Sequence, residues 1–253
     1  MKRTGVILAA GLGSRLAGAD ESTRLKPLTP VAGVPLIQRT LMSLERAGCA
    51  RIVVVIGYAG DEVRAAAERV HAGSAELVFA HNDKYQLANG VSVLAAAPHV
   101  EADFVLTMAD HVLGDELMDI ARAYTPAPGS AALLVDYKLD TIFDMDDATK
   151  VLEREGRIAS IGKTIPEFNC VDTGVFVCTR ALMDAIESVY ARRGDASLSE
   201  GVGALAARGD MFTVDVGDGF WQDVDTPEML AHAERVLGSR VPSRPGAPAP
   251  GAG

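Results

Sequence analysis

The sequence predicts a single α/β domain in which helices cover both faces of a mixed, mostly parallel sheet, a three-layer α/β/α arrangement. Three observations carry this. Short apolar runs alternate with amphipathic stretches through the first half of the chain. Those runs are almost continuously apolar rather than alternating, as strands buried on both faces are. And 253 residues, with no internal repeat and no dividing linker, suffice for one large core.

The expected strands of the first half are Gly5–Ala10, Arg51–Ile56, Glu76–Ala80, Asp103–Met108 and Ala131–Val135. Helical spacing of apolar residues falls between them, at Leu36–Ala47, Asp61–Val70, Val91–Ala97 and Asp115–Ala123. After Asp140 the rhythm changes. Lys150–Glu153 and Arg157–Ile161 flank Glu155-Gly156 as a hairpin, and a strand follows at Val171–Cys178. Helices at Ala181–Ala191 and Ser199–Ala207, a strand at Met211–Val216 and a helix at Pro227–Leu237 complete the order. The domain is expected over residues 1–238. Residues 239–253, SRVPSRPGAPAPGAG, have little apolar surface to bury and are expected to be disordered.

A net charge of -10 argues against nucleic-acid and anionic-membrane partners, because the summed field repels phosphate backbones. No apolar run reaches the ~18 residues of a membrane span, so no membrane insertion is expected. Met1-Lys2-Arg3 runs into a strand rather than a signal peptide. Cys49, Cys170 and Cys178 are few, odd in number and set among apolar residues, the usage of a reduced cytoplasmic protein. Nothing in the sequence sets an oligomeric state.

The most informative stretch is GVILAAGLGSRLAGADESTRLKPLTPVAGVPLI, residues 5–37. An apolar strand turns through Gly11 and Gly13, where backbone N–H groups can approach a phosphate closely. Arg15 and Lys26 then offer charge to neutralise a phosphate during transfer. A dinucleotide-binding turn would need glycine where Leu16 stands and an acid after the second strand, which instead leads into Gly57-Tyr58. A Gly-Lys-Ser/Thr phosphate loop is absent. A purely structural turn accounts for the glycines but not for both cations. The segment therefore reads as a grip for a nucleoside triphosphate.

Ligands of such sheets bind beyond the carboxyl ends of the strands, which places Gly11–Arg15, Asp110 and the loop after Ala80 on one rim. Asp110 ends the strand FVLTMAD and is a natural Mg²⁺ ligand, since Mg²⁺ takes one or two carboxylates plus phosphate oxygens. Asp223 and Asp225 in GFWQDVDTPEML stand two apart, on the same side of an extended backbone. One completes the metal site while the other orients Lys26 or caps the helix at Pro227; spacing does not say which. Asn89, Gly90 and Ser92 join loop to helix where a base or ribose can lie against the backbone. Lys163 can meet the phosphate of a second substrate, and Lys150 is a weaker candidate of the same kind. Asp136, Asp140, Asp144, Asp146 and Asp147 form an acidic stretch that reads as a solvated loop; bordering the pocket, one or two could hold polyol hydroxyls.

From Gly5 to about Leu237 the chain resembles the sugar-phosphate nucleotidylyltransferases of the nucleotidyltransferase superfamily, through LAAGLGSRL and LKPLTPVAGVPLI. Within it the chain is most similar to the inositol-1-phosphate cytidylyltransferases, through MADHV, DDATKV with GRIASIGK, FNCVDTGVFVCT, SLSEGV and FWQDVDTPE. The resemblance implies the Rossmann-like nucleotide-diphospho-sugar transferase fold. It implies a Mg²⁺-dependent reaction of CTP with a phosphorylated polyol, inositol 1-phosphate, to CDP-inositol and pyrophosphate. Leu8, Ala9, Ala10, Gly11, Gly13, Asn89, Gly90 and Ser92 would hold the nucleotide, with Arg15 and Lys26 as the catalytic cations. Asp110 with Asp223 or Asp225 would bind the metal, and Lys150, Lys163, Asp172 and Thr173 the second substrate. Many relatives are fused to a membrane-spanning synthase, whereas this chain runs into its Pro/Ala/Gly stretch, so a separate membrane-bound synthase downstream is expected or the acceptor differs. Phosphocholine, a phosphonate or another sugar or cyclitol phosphate are the alternative acceptors. A non-catalytic nucleotide-binding regulatory domain is the alternative of another class; such a domain would shed the charged residues that this chain keeps.

Overall fold

The computed structural model describes residues 3–11 and 25–240. The elements run β1 (Arg3–Leu8), β2 (Pro30–Val31), β3 (Val34–Pro35), α1 (Leu36–Arg46), β4 (Cys49–Ile56), α2 (Gly60–Val70), β5 (Glu76–His81) and α3 (Asn89–Ala95). There follow β6 (Phe104–Met108), β7 (His111–Leu113), α4 (Asp115–Ala123), β8 (Ala131–Asp136), β9 (Lys150–Arg154), β10 (Arg157–Gly162) and β11 (Cys170–Cys178). The chain closes with α5 (Ala181–Arg193), α6 (Leu198–Ala206), β12 (Met211–Asp215), β13 (Trp221–Asp223) and α7 (Pro227–Arg240). The last helix passes the expected boundary at 238 by two residues.

One nine-stranded sheet forms the centre, in the order β5-β4-β1-β6-β11-β8-β12-β10-β9. Its first four strands are parallel. Antiparallel pairing enters with β11, which runs against both β6 and β8; β12 then pairs parallel with β8, and β10 and β9 are antiparallel again. The sheet is thus mixed as expected, with its parallel character concentrated in the N-terminal half.

The pleat explains the layers. Val6, Leu8, Val53, Val55, Phe104 and Leu106 point to one face, where α3, α5 and α6 cover them. Ile7, Ile52, Val54 and Val105 point to the other face, against α1, α2 and α4. Each of these strands is buried on both faces, which is why it reads as an unbroken apolar run. A small third cluster joins Val31, Leu36, Val112, Val224 and Ala233, fixing α7 beside the tip of the sheet. All three cysteines are buried and unpaired. No helix among the described residues is long and apolar enough to cross a membrane.

The two-residue hairpin β2–β3 and the short β7–β13 pair were not expected from sequence. Strands of two or three residues carry no period to detect. The second pair matters, because it sets Asp223 directly opposite His111 and Gln222 opposite Val112.

Candidate active site

The carboxyl ends of β1 and β6 open onto two adjoining cavities. The first, of about 370 Å³, runs along Leu8, Ala9, Ala10 and Gly11 and is walled by Tyr85 and Leu87. The second, of about 480 Å³, lies under the β8–β9 loop and contains Asp136, Asp172, Asp223 and Lys163. Asn89, Met108, Asp110 and Asp225 line both.

Lys26 stands at the junction. It opens a short turn beginning Lys26-Pro27-Leu28. Its Nζ donates to Asp110 Oδ2 at 2.7 Å and also to Asp225 Oδ1. The Lys26 and Asp225 side chains are only 11% and 10% exposed, so this is a buried ionic bridge. Burial works against the ammonium, yet the two carboxylates outweigh it and hold the Lys26 pKa above its ordinary value. Asp110 gives its other oxygen to His111 Nδ1 at 2.6 Å. Burial opposes ionisation of Asp110 too, but His111 and Lys26 keep its carboxyl well below the usual range. His111 in turn is raised: burial disfavours its cation and the Asp110 carboxylate more than compensates.

His111 needs Gly174 beneath it. Gly174 has φ +78°, and a Cβ there would lie 2.4 Å from His111 Nε2. The Gly174 N–H donates to Asp172 Oδ1 at 2.7 Å. Burial nevertheless pushes the Asp172 carboxyl up to about 6, against the influence of that N–H and of His111. An unfolded aspartate titrates near ~3.9. Between the two values the native state binds more protons than the unfolded chain, so stability falls as pH rises through that window. Asp172→Asn should therefore gain ~2 kcal/mol on the wild type between about pH 4 and about pH 7.5, read from urea unfolding in metal-free buffer. A constant difference across that range would mean that Asp172 titrates normally.

The sequence placed a metal on Asp110 with Asp223 or Asp225. The structure brings one oxygen each of Asp147, Asp223 and Asp225 within 4.8 Å of one another. Asp110 instead spends its two oxygens on Lys26 and His111. Three carboxylates without a thiolate or imidazole form a hard oxygen donor set, which suits Mg²⁺. Asp147 belongs to the stretch read as a solvated loop. Its involvement had no local signal, because the loop reaches the cavity only through the fold.

The other sequence candidates divide. Asn89 and Ser92 line the first cavity, and Ser92 Oγ accepts from Asn82 Nδ2 at 2.9 Å. Lys163 lines the second cavity, paired with Asp147. Lys150 is turned aside, donating to the Asp146 carbonyl at 3.0 Å. Thr173 is fully buried and donates to the Leu134 carbonyl, so it is a strand-to-strand tie rather than a group facing a ligand. Gly90 is buried under α6 and does not face the cavity; its missing Cβ serves packing. Gly13 and Arg15 lie outside the described residues. Trp221, one of the few aromatics expected near the acceptor pocket, donates from Nε1 to the buried Asp136 at 2.9 Å and stacks on His111, forming a fixed floor of the second cavity.

A cavity running along the strand tips at Leu8–Gly11, a bridging lysine and an acidic second cavity on a three-layer α/β/α fold are the features of a nucleotidyltransferase. The chain belongs to the MobA-like NTP transferase domain family, which it matches over residues 5–205. Nucleotidyltransferases of this kind generally use a divalent metal. Among curated proteins it is 34% identical over 235 residues to the bifunctional IPC transferase and DIPP synthase of Rubrobacter xylanophilus, covering 91% of this chain and 51% of that protein. It is 36% identical to the protein of the same name from Archaeoglobus fulgidus, covering 92% and 43%. The chain thus spans about half the length of these relatives. Among solved structures, the inositol-1-phosphate CTP transferase from T. maritima superposes with a TM-score of 0.79 at 27% identity, over 92% of this chain and 96% of that one.

Proposed function

We propose that this protein is a Mg²⁺-dependent cytidylyltransferase that joins CTP to inositol 1-phosphate, giving CDP-inositol and pyrophosphate. The observation that carries it is the buried Lys26 ammonium, held by Asp110 and Asp225 where two cavities meet. A cation fixed between donor and acceptor compartments lies where charge develops in phosphoryl transfer. The similarity to an inositol-1-phosphate CTP transferase along nearly the whole of both chains supports the choice of substrates.

In this mechanism CTP lies along Leu8–Gly11 with its base toward Tyr85, Leu87, Asn89 and Ser92. An oxygen of the acceptor phosphate attacks the α-phosphorus in line, and pyrophosphate leaves. The attacking phosphate is already anionic, so no general base is needed. Lys26 turns from its carboxylates to the α-phosphate and neutralises the growing charge; Arg15 does the same for the triphosphate. Lys163 binds the acceptor phosphate, and Asp136 and Asp172 accept hydrogen bonds from its hydroxyls. Asp223 and Asp225 would hold Mg²⁺, with Asp147 as a third carboxylate within reach. When bound, the ion supplies charge neutralisation and orientation for the phosphates.

The unpaired, buried cysteines favour the cytoplasm as its compartment. Consumption of CDP-inositol would fall to a membrane-bound synthase, on another chain or on a segment beyond this sequence. The acidic lining of the second cavity also suits an ammonium-bearing acceptor, and a phosphonate such as 2-aminoethylphosphonate is the second reading. Pyrophosphate release, measured with each of the common nucleoside triphosphates against inositol 1-phosphate, phosphocholine and 2-aminoethylphosphonate, separates them. Release with CTP and inositol 1-phosphate is expected. Release with a different pair would keep the chemistry and replace the substrates, and silence throughout, in folded protein with Mg²⁺, would refute the activity.

A further inference from the structure

The segment SLSEGV, residues 197–202, stands outside both cavities, yet it backs the loop that walls the first one. We propose that the α5–α6 junction is an outer clamp on the nucleobase wall, and that Asp195 is the positioning residue through which it acts. The inference rests on the nucleotide site proposed above.

The wall is the chain from Asn82 to Ser92, which brings Tyr85, Leu87, Asn89 and Ser92 to the cavity. It is tied to the junction along its length. Lys84 Nζ, at its start, donates to Tyr190 Oη on α5 at 2.7 Å. Asp195 Oδ1 accepts the Ala88 N–H at 2.9 Å and the Ala196 N–H at 2.8 Å, so one oxygen holds both segments. Asn89 Oδ1 accepts the Leu198 N–H at 2.9 Å, which returns the tie from the wall to the first turn of α6.

The contact is also close. A Cβ on Gly90 would lie 2.5 Å from the Ala196 carbonyl oxygen and 2.8 Å from the Ser197 carbonyl carbon, so only glycine lets the two backbones meet. The junction itself is stiff. Gly194 ends α5 in the left-handed region, and Ser197 opens α6 with a reciprocal cap to Glu200. A loop that must present a base-sized slot is thereby fastened to a rigid corner some hundred residues away in sequence. Asp195 touches no substrate; it fixes the peptide between Leu87 and Ala88, two residues that lead from the cavity wall into Asn89.

The test is calorimetric titration of wild type, Asp195→Ala and Asp195→Asn with CTP and with UTP in Mg²⁺, alongside steady-state kinetics and melting curves. Loss of the acceptor strands the Ala88 N–H, and Asp195→Ala is expected to weaken CTP binding about tenfold. Its preference for CTP over UTP should narrow, while kcat at saturating CTP and KM for the acceptor stay within about twofold. Asp195→Asn keeps an acceptor oxygen and should bind as the wild type does. The proposal is overturned if Asp195→Ala binds CTP normally. It is equally overturned if CTP, UTP and acceptor all weaken together with the melting temperature, or if Asp195→Asn fails as badly as the alanine. Should the alanine variant not fold, Lys84→Met, which cuts only the Tyr190 tie, must still weaken CTP without changing KM for the acceptor. A wild type that binds no nucleotide would instead refute the functional proposal on which the clamp depends.

Discussion

Lys26→Ala is expected to lower turnover at least ~100-fold, the scale lost with one preorganised contact to a transition state. Lys26 is the charge at the boundary of the two cavities, paired with both Asp110 and Asp225. KM for CTP should change less than kcat, because the contact strengthens as charge grows on the α-phosphate. A structural penalty accompanies the loss. Removing Lys26 takes the shared cation from two largely buried carboxylates, at a cost of about 3 kcal/mol. Added Mg²⁺ should recover part of that stability, which a melting curve with and without the ion will read. Near-normal turnover in folded Lys26→Ala would remove the lysine from the mechanism.

Asp225→Asn should be as damaging for two separate reasons. It loosens the grip on Lys26, and it removes a member of the Asp147–Asp223–Asp225 group. The amide keeps the shape but not the charge, so turnover should fall at least ~100-fold while the fold persists. The Mg²⁺ concentration for half-maximal rate should rise as well. Asp110→Asn provides the contrast. Its oxygens are spent on Lys26 and His111, so it should impair turnover with a smaller effect on the metal titration. Equal shifts in the two titrations would return Asp110 to the ligand set that its place at a strand tip first suggested.

The sequence announced the parallel half of the sheet because those strands are covered on both faces and read as unbroken apolar runs. It announced Lys26, Asp110, Asp223 and Asp225 because each stands at a strand end or in a Pro-bounded turn, where local signals are strong. What stayed hidden was long-range. Asp147 sits in a polar loop whose composition is that of solvated surface, and only the β8–β9 excursion brings it to Asp223 and Asp225. From its place beside Asp110, His111 could equally face a substrate or merely pack; Asp110 and Gly174 fix it from two sides. Thr173 and Gly90 mislead for the converse reason: each lies beside residues that line the cavities, but an alternating strand and a tightly crossed helix turn them toward the interior. The ties from Asp195 to Ala88 and from Asn89 to Leu198 join segments too distant in sequence for any local pattern to reveal.

The central claim, transfer of a cytidylyl group from CTP to a phosphate oxygen of the acceptor, is most directly tested by isotope. Inositol 1-phosphate carrying ¹⁸O in all its phosphate oxygens would be incubated with CTP, Mg²⁺ and the protein, and the products resolved by mass spectrometry and ³¹P NMR. Attack on the α-phosphorus predicts CDP-inositol that retains the entire label and pyrophosphate that carries none. Release of CDP with a labelled inositol pyrophosphate, or hydrolysis of CTP with the acceptor untouched, would contradict it.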